Sequence, residues 1–410
     1  MKDPLRHLGP GTLIAAAFIG PGTVTACTVA GANYHVTLLW AMALSIVATI
    51  VLQEMAARLG LIHGKGLAET VKEQIKPPIV KAFALFVVLS AILVGNAAYE
   101  AGNISGGALG LETIFPWTNV TLAGSSRNLA PLGMGTTAFV LLFIGNYKTI
   151  ERCLVVLVLL MSLSFIITAL VTRPNWSEVA KGIFVLRVPE GSWLTIIALV
   201  GTTVVPYNLF LHASLVREKW KGANDLLAAR RDTYVSIIGG GLVSMAIIIC
   251  ASGIDSSSTV KHAADLARGL EPLYGTYAKY FLSIGMFAAG ITSAITAPLA
   301  AAYVAKGLFG WDSNLQSARF RTVWIVVLTI GVIISSCGYR PIEVIQFAQI
   351  ANGFLLPIIA SFLLWIVNRR AVLGDHINTP RQNILGVLIV LATIALGIRG
   401  VLKERLLLGK

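Results

Sequence analysis

Apolar residues in this chain come in long charge-free runs, not in the short alternation of strands or the one-sided stripe of a water-facing helix. Eleven such runs can be read, at about 12–34, 36–53, 82–99, 129–147, 153–172, 191–216, 233–254, 280–305, 322–339, 344–367 and 382–398. Most approach the ~20 residues a helix needs to cross a bilayer; 322–339 and 382–398 are the weakest. The pattern predicts an all-α integral membrane protein with about 11 transmembrane helices and no separate water-soluble module. Two of the runs are interrupted by proline at their middles: Gly20-Pro21-Gly22-Thr23 in the first, and Thr202-Thr203-Val204-Val205-Pro206-Tyr207-Asn208 in the sixth.

Proline removes a backbone hydrogen bond and clashes with the preceding turn, so the helix is expected to unwind there. Either interruption alone reads as an ordinary kink, since Gly and Pro are common in membrane helices. Together they fall at the openings of two five-helix halves, about 10–172 and 190–368, with 382–398 as an accessory helix. An odd number of spans per half forces the halves into opposite orientations. The expected fold is therefore a 5+5 inverted repeat of the amino-acid/sodium symporter type, a single transporter domain over 1–410 with discontinuous helices one and six. Paired, unwound backbone of this kind points to a transporter's substrate site at the bilayer midplane.

Composition agrees. The chain is 56% hydrophobic and 12% charged, and its mean hydropathy is +0.79, outside the range of water-soluble domains. Its formal charge of +13 does not imply nucleic acid. With alternating spans, 20 of the 32 Lys and Arg fall on the side of the N-terminus, chiefly in Arg58–Lys81 and Arg217–Arg231. The positive-inside bias predicts a cytoplasmic N-terminus and an external C-terminus, in a multi-pass protein of the plasma membrane. No cleavable signal is evident. The cysteines Cys27, Cys153, Cys250 and Cys337 stand singly in apolar surroundings and read as small buried hydrophobes, not as metal or disulfide partners. No HExxH, GxSxG or Walker loop occurs, so the chain reads as no enzyme and calls for no cofactor. The expected partners are the bilayer and a transported cation or small polar solute, with no nucleic acid and no obligate protein partner.

Several stretches resemble the natural-resistance-associated macrophage protein (Nramp) family of metal-ion transporters. They are Ala56-Ala57-Arg58-Leu59-Gly60 with Gly64-Lys65 and Leu67-Ala68-Glu69, the run Gly201 to His212, Ala264-Asp265-Leu266-Ala267, and Gly290 to Thr296. The resemblance extends from about residue 9 to 400 and implies the eleven-helix layout. It also exposes departures. Family members typically read Asp-Pro-Gly-Asn at the first break, where the aspartate and asparagine hold the metal; here Gly20 and Thr23 stand there. At the second break a methionine and a histidine are replaced by Val205 and Tyr207. In the third helix an aspartate implicated in proton movement is replaced by Ala97, while Glu100 remains; His212 and Gln349 match the family.

A thioether selects soft, late transition metals, and a carboxylate offsets the charge of a dehydrated divalent ion; neither is present at either break. A naked divalent ion in so neutral a site would carry a large desolvation cost. What the sequence offers instead is dipolar: the hydroxyls of Thr23 and Tyr207, the amides of Asn208 and Gln349, and backbone carbonyls near Gly20 and Thr202, with Val205 beside them. Asn352, three residues beyond Gln349, is a further amide in an apolar helix. Glu100, read as lying at one end of its span, and His212 are the titratable candidates for a proton path. Tyr207 and Asn208 also fit a bland role as interhelical glue, His212 a structural hydrogen bond, and Glu54, read as lying at a helix end, a structural acid. The expectation is Nramp-like cation transport with selectivity departing from Mn2+ and Fe2+, Mg2+ being one candidate, and with weak or absent proton coupling. The alternative is a small, amino-acid-like solute on the same scaffold; a non-transporting membrane protein ranks third, lacking a sensor module or catalytic dyad to support it.

Overall fold

A computed structural model describes residues 19–122, 125–145, 148–254, 260, 263–311 and 316–408. The chain is a bundle of helices: α1 (Pro21–Tyr34), α2 (Leu39–His63), α3 (Leu67–Gln74), α4 (Pro78–Ile114), α5 (Ala130–Ile144), α6 (Lys148–Val171), α7 (Trp176–Phe184), α8 (Trp193–Thr203), α9 (Pro206–Lys219), α10 (Leu226–Ala251), α11 (Ala278–Phe309), α12 (Ala318–Ser336), α13 (Pro341–Val367) and α14 (Pro380–Leu408). Among the described residues nine apolar helical segments are long enough to span a membrane, and Ala130–Ile144 is a shorter tenth. The first segment, Pro21–His63, divides into α1 and α2 at the 3-10 turn His35–Leu38. All eleven predicted spans are thereby found, although residues 12–18 of the first lie outside the described residues. The α1–α2 turn is tight: His35 takes the left-handed φ of 50°, uncommon for a residue with a side chain, and its ring meets the Ser252 carbonyl at 3.0 Å.

The connections hold more structure than the sequence indicated. The segment 55–81 is mostly helix, because α2 runs on to His63 and α3 follows after Gly64, whose φ of 73° terminates α2. The segment 110–128 contains a two-stranded ribbon, Asn119–Leu122 paired antiparallel with Ser125–Asn128, and 173–190 contains α7. The segment 254–279 holds two short α-helical pieces, Ala263–Ala267 and Glu271–Tyr274. α3, α7 and the ribbon are each too short for a periodic pattern to emerge from the sequence.

Close packing depends on small residues along α4. A side chain on Gly106 would strike Pro21, and one on Gly290 of α11 would strike the Gly107 backbone. Small residues let membrane helices approach to backbone contact. The outer surface bears exposed apolar side chains such as Phe83, Phe86, Leu159 and Leu391, as a hydrocarbon-facing surface should. Two of the cysteines, Cys153 and Cys337, belong to this exposed set, while Cys27 and Cys250 are buried; the expectation that all four are buried is corrected, since in a bilayer apolar residues gain nothing by facing inward.

Glu54 and Glu100 are also placed differently from their expected helix-end positions. Glu54 lies well inside α2, and Glu100 lies 22 residues into α4, which continues to Ile114. A charge ended each apolar run in the sequence, but helical hydrogen bonding carried on through it. Glu54 is 4% exposed and meets two arginines, Arg58 at 3.2 Å and Arg230 of α10 at 2.8 Å, so its structural reading is supported, but by pairing and not by reaching water.

Candidate substrate site

Both prolines occupy the first position of a new helix, where the missing N–H has no intrahelical partner to lose. Gly20, with φ −94° and ψ 179°, is extended and precedes α1. Val204 (φ −100°, ψ 73°) and Val205 (φ −74°, ψ 122°) form the whole gap between α8 and α9. The second break is thus narrower than expected, Thr23 and Thr202 are themselves helical, and the Gly20 carbonyl accepts from the amides of Thr23 and Val24 at 3.1 and 3.2 Å, so it is not free for a ligand.

The two breaks meet. Thr23 Oγ1 and Thr202 Oγ1 are 2.9 Å apart, both buried, across 179 residues of sequence. A third element, α13, seals the junction. The Gln349 side chain lies against the backbone of Gly22, and its carbonyl sits where any side chain on Gly201 would have to go. Glycine is required at both positions by this approach of chain to chain. Three residues that sequence places 179 and 326 positions apart along the chain, counted from Thr23 to Thr202 and to Gln349, are brought into one polar knot.

Beside the knot, polar atoms go unused. Asn208, the third residue of α9, is fully buried, yet neither its Oδ1 nor its Nδ2 has a hydrogen-bond partner in the described structure; Gln349 Oε1 and Asn352 Nδ2 share that condition. Leaving a buried donor or acceptor unpaired costs about 1–3 kcal/mol, and native structures rarely retain such groups without a reason. Val205 is fully buried and caps α9, contributing shape without polarity. Tyr207 meets Tyr99 of α4 edge to face, with ring centroids 5.3 Å apart.

The two titratable candidates belong to other contacts. His212 Nδ1 lies 2.8 Å from Gln53 Oε1 of α2, the structural hydrogen bond that the bland reading foresees. Glu100, fully buried, receives the Asn103 amide at 3.4 Å, has its other oxygen unpartnered, and presses on Gly331 of α12. No hydrogen bond joins Glu100 to His212 among the described residues. Tyr99, Gln53 and Asn103, the partners of these candidates, were missed from sequence. Gln53 and Asn103 are polar residues inside membrane helices, and that signal alone could have drawn attention to them; Tyr99 carries no such mark.

The junction is electrically neutral. Among the described residues no group of three or more His, Cys, Asp or Glu could hold a metal ion. What the site can do is offer hydroxyl and amide dipoles, in both donor and acceptor senses, to a ligand that brings its own charge or its own water.

Comparison with known proteins places this geometry in context. A family model described as Nramp, natural resistance-associated macrophage protein-like, matches residues 11–403. The divalent metal cation transporter MntH of Acidiphilium cryptum is 26% identical over 382 residues, covering 91% of this chain and 84% of its own. Metal transporter Nramp3 of Oryza sativa subsp. japonica is 27% identical over 409 residues, covering 94% of this chain and 71% of its own. Among solved structures, the manganese transporter of Eremococcus coleocola in complex with an aromatic bis-isothiourea substituted compound superposes with a TM-score of 0.75 at 20% identity, over 96% of this chain and 85% of that one. Mhp1, a nucleobase-cation-symport-1 family transporter with bromovinylhydantoin bound, gives 0.61 at 16% identity, over 97% and 93%. At such identities the structures establish a common fold, that of the inverted-repeat transporters.

Proposed function

The chain belongs to the Nramp family, and from that premise we propose that it is a secondary transporter moving a divalent metal cation by alternating access, with selectivity that departs from Mn2+ and Fe2+. The observation that carries this reading is the buried, unpartnered Asn208 amide in the first turn after the Val204–Val205 gap. A helix break that leaves such atoms without a protein partner is suited to receive a ligand. The ligand is a cation that keeps part of its water: Mg2+ dehydrates reluctantly and usually retains several waters, and hydroxyls and amides bond to those waters without a carboxylate. Thr23, Thr202, Val205, Tyr207, Asn208 and Gln349 form the substrate site in this reading, with Gly20 shaping the backbone ahead of Pro21 and offering no ligand atom. The chain inserts as one transporter domain in the plasma membrane with its N-terminus cytoplasmic and its C-terminus external, following the distribution of Lys and Arg.

The deciding experiment is a proteoliposome flux screen with Mn2+, Mg2+, Na+, K+ and amino acids supplied separately. Mg2+ flux with little Mn2+ flux is expected. High-affinity Mn2+ uptake by the unaltered protein would overturn the selectivity reading, and uptake of amino acids alone would replace it with the organic-solute alternative, which the absence of any carboxylate at the junction favours. Coupling follows from Ala97: with one acid missing from the third span and Glu100 engaged by Asn103, substrate moves down its own gradient with little proton movement. Substrate-driven acidification of dye-loaded vesicles that vanishes in Glu100→Gln would contradict this.

A further inference from the structure

Far from the helix breaks, the start of α4 and the end of α13 splay apart. Further along, the two helices touch: a side chain on Gly95 would meet Leu355, and one on Gly102 would meet Ala348. Toward the Pro78 end, a groove of ≈ 970 Å³ opens between them, at the upper end of the ~300–1,000 Å³ typical of sites for small organic molecules. It is separate from the junction, because Ser361, the first α13 residue on its wall, lies roughly 18 Å along the helix from Gln349 at ~1.5 Å per residue.

The groove is amphipathic along its length. Val80 and Phe83 of α4 face Phe362 and Trp365 of α13, and Val80 and Phe83 are 54% and 67% exposed. Its mouth carries Lys76 and Arg369. The Arg369 guanidinium lies 4.7 Å from the centre of the Trp365 ring, which holds it at the rim, and neither cation forms an ion pair among the described residues. The one carboxylate at the mouth, Glu73, is already engaged by Lys65 and His63. Lys65 holds its carboxyl below the usual carboxylate value, so it stays ionised and satisfied.

We propose that this groove binds an anionic phospholipid of the adjoining leaflet. Its phosphate sits between Lys76 and Arg369, and an acyl chain lies along Phe83 and Phe362. Charge decides the headgroup: two free cations beside a neutralised carboxylate favour a net negative lipid over a zwitterionic one, as basic pockets between membrane helices generally do. The apolar wall decides for a lipid over a water-soluble phosphate, since Phe83 and Phe362 belong to helices long and apolar enough to cross a membrane.

The test is native mass spectrometry of the full chain titrated in mixed micelles with phosphatidylglycerol, phosphatidylcholine or glycerol 3-phosphate. Phosphatidylglycerol is expected to be retained at least about tenfold more tightly than phosphatidylcholine, with no retention of glycerol 3-phosphate. Lys76→Gln with Arg369→Gln should abolish that preference. The single Arg369→Gln, an exposed change that leaves the fold intact, should reduce it several-fold, while Lys181→Gln on α7 leaves it unchanged. Equal retention of the two lipids, undiminished phosphatidylglycerol binding in the double variant, or displacement of the lipid by glycerol 3-phosphate would each overturn the proposal.

Discussion

Two buried polar clusters in this protein differ in charge and in how fully their atoms are used. At the junction of α1, α8 and α13 the polar groups are neutral, and several of their atoms are unpaired. At the far end of α2 the groups are charged and almost fully used. Arg58, 2% exposed, donates to Glu54, to Asn378 Oδ1 and to the His376 carbonyl, and Glu54 also receives Arg230; of the Arg58 nitrogens only Nε lacks a partner. That network ties α2 and α10 to the link between α13 and α14. A buried charge survives only when its partners are supplied by the protein, so the charged cluster serves architecture. The neutral cluster, with atoms left over, has the character of a binding site.

This contrast breaks most sharply on Arg58→Ala. Removing one member of a buried pair costs about 3–5 kcal/mol, and the low end is expected because Arg230 still faces Glu54. The apparent melting temperature in detergent should fall steeply; an unchanged transition would strip the network of its structural role. Asn208→Leu should act in the opposite sense. It removes an amide with no partner, relieving a penalty of about 1 kcal/mol or more, so the protein should melt no lower while substrate flux is lost. A destabilised variant with normal flux would make Asn208 glue and not site.

A smaller effect sharpens the junction itself. In a double-mutant cycle on Thr23→Val and Thr202→Val, the coupling should be about 1 kcal/mol, one net hydrogen bond; additive single effects would show that the two breaks do not hold each other. The smallest effect is at Glu73, which is half-exposed. Its folded carboxyl sits below the ordinary 4.5, so the stability it gives is present above 4.5 and is lost as pH falls through its folded value. Glu73→Gln should therefore leave melting at pH 7 nearly unchanged, as exposed pairs contribute little, and a pH titration should show the two proteins converging below pH 4.5.

The sequence by itself determined the class of molecule, the eleven spans and the position of both breaks. These are consequences of single residues and local runs: hydrocarbon demands apolar stretches about as long as the bilayer is thick, and proline's missing N–H acts wherever the chain folds. The sequence also named Thr23, Thr202 and Gln349, which the fold gathers. It misjudged Glu54 and Glu100 as lying at helix ends, because a charge ends an apolar run without ending a helix. Only the tertiary structure decided which polar atoms are satisfied. That Asn208 has no partner, that His212 has Gln53, that Arg58 reaches Asn378 across 320 residues are facts about neighbours remote in sequence. Hydrogen bonding and desolvation are settled over a few ångströms of space, and nothing in the order of residues fixes those distances until the helices have packed.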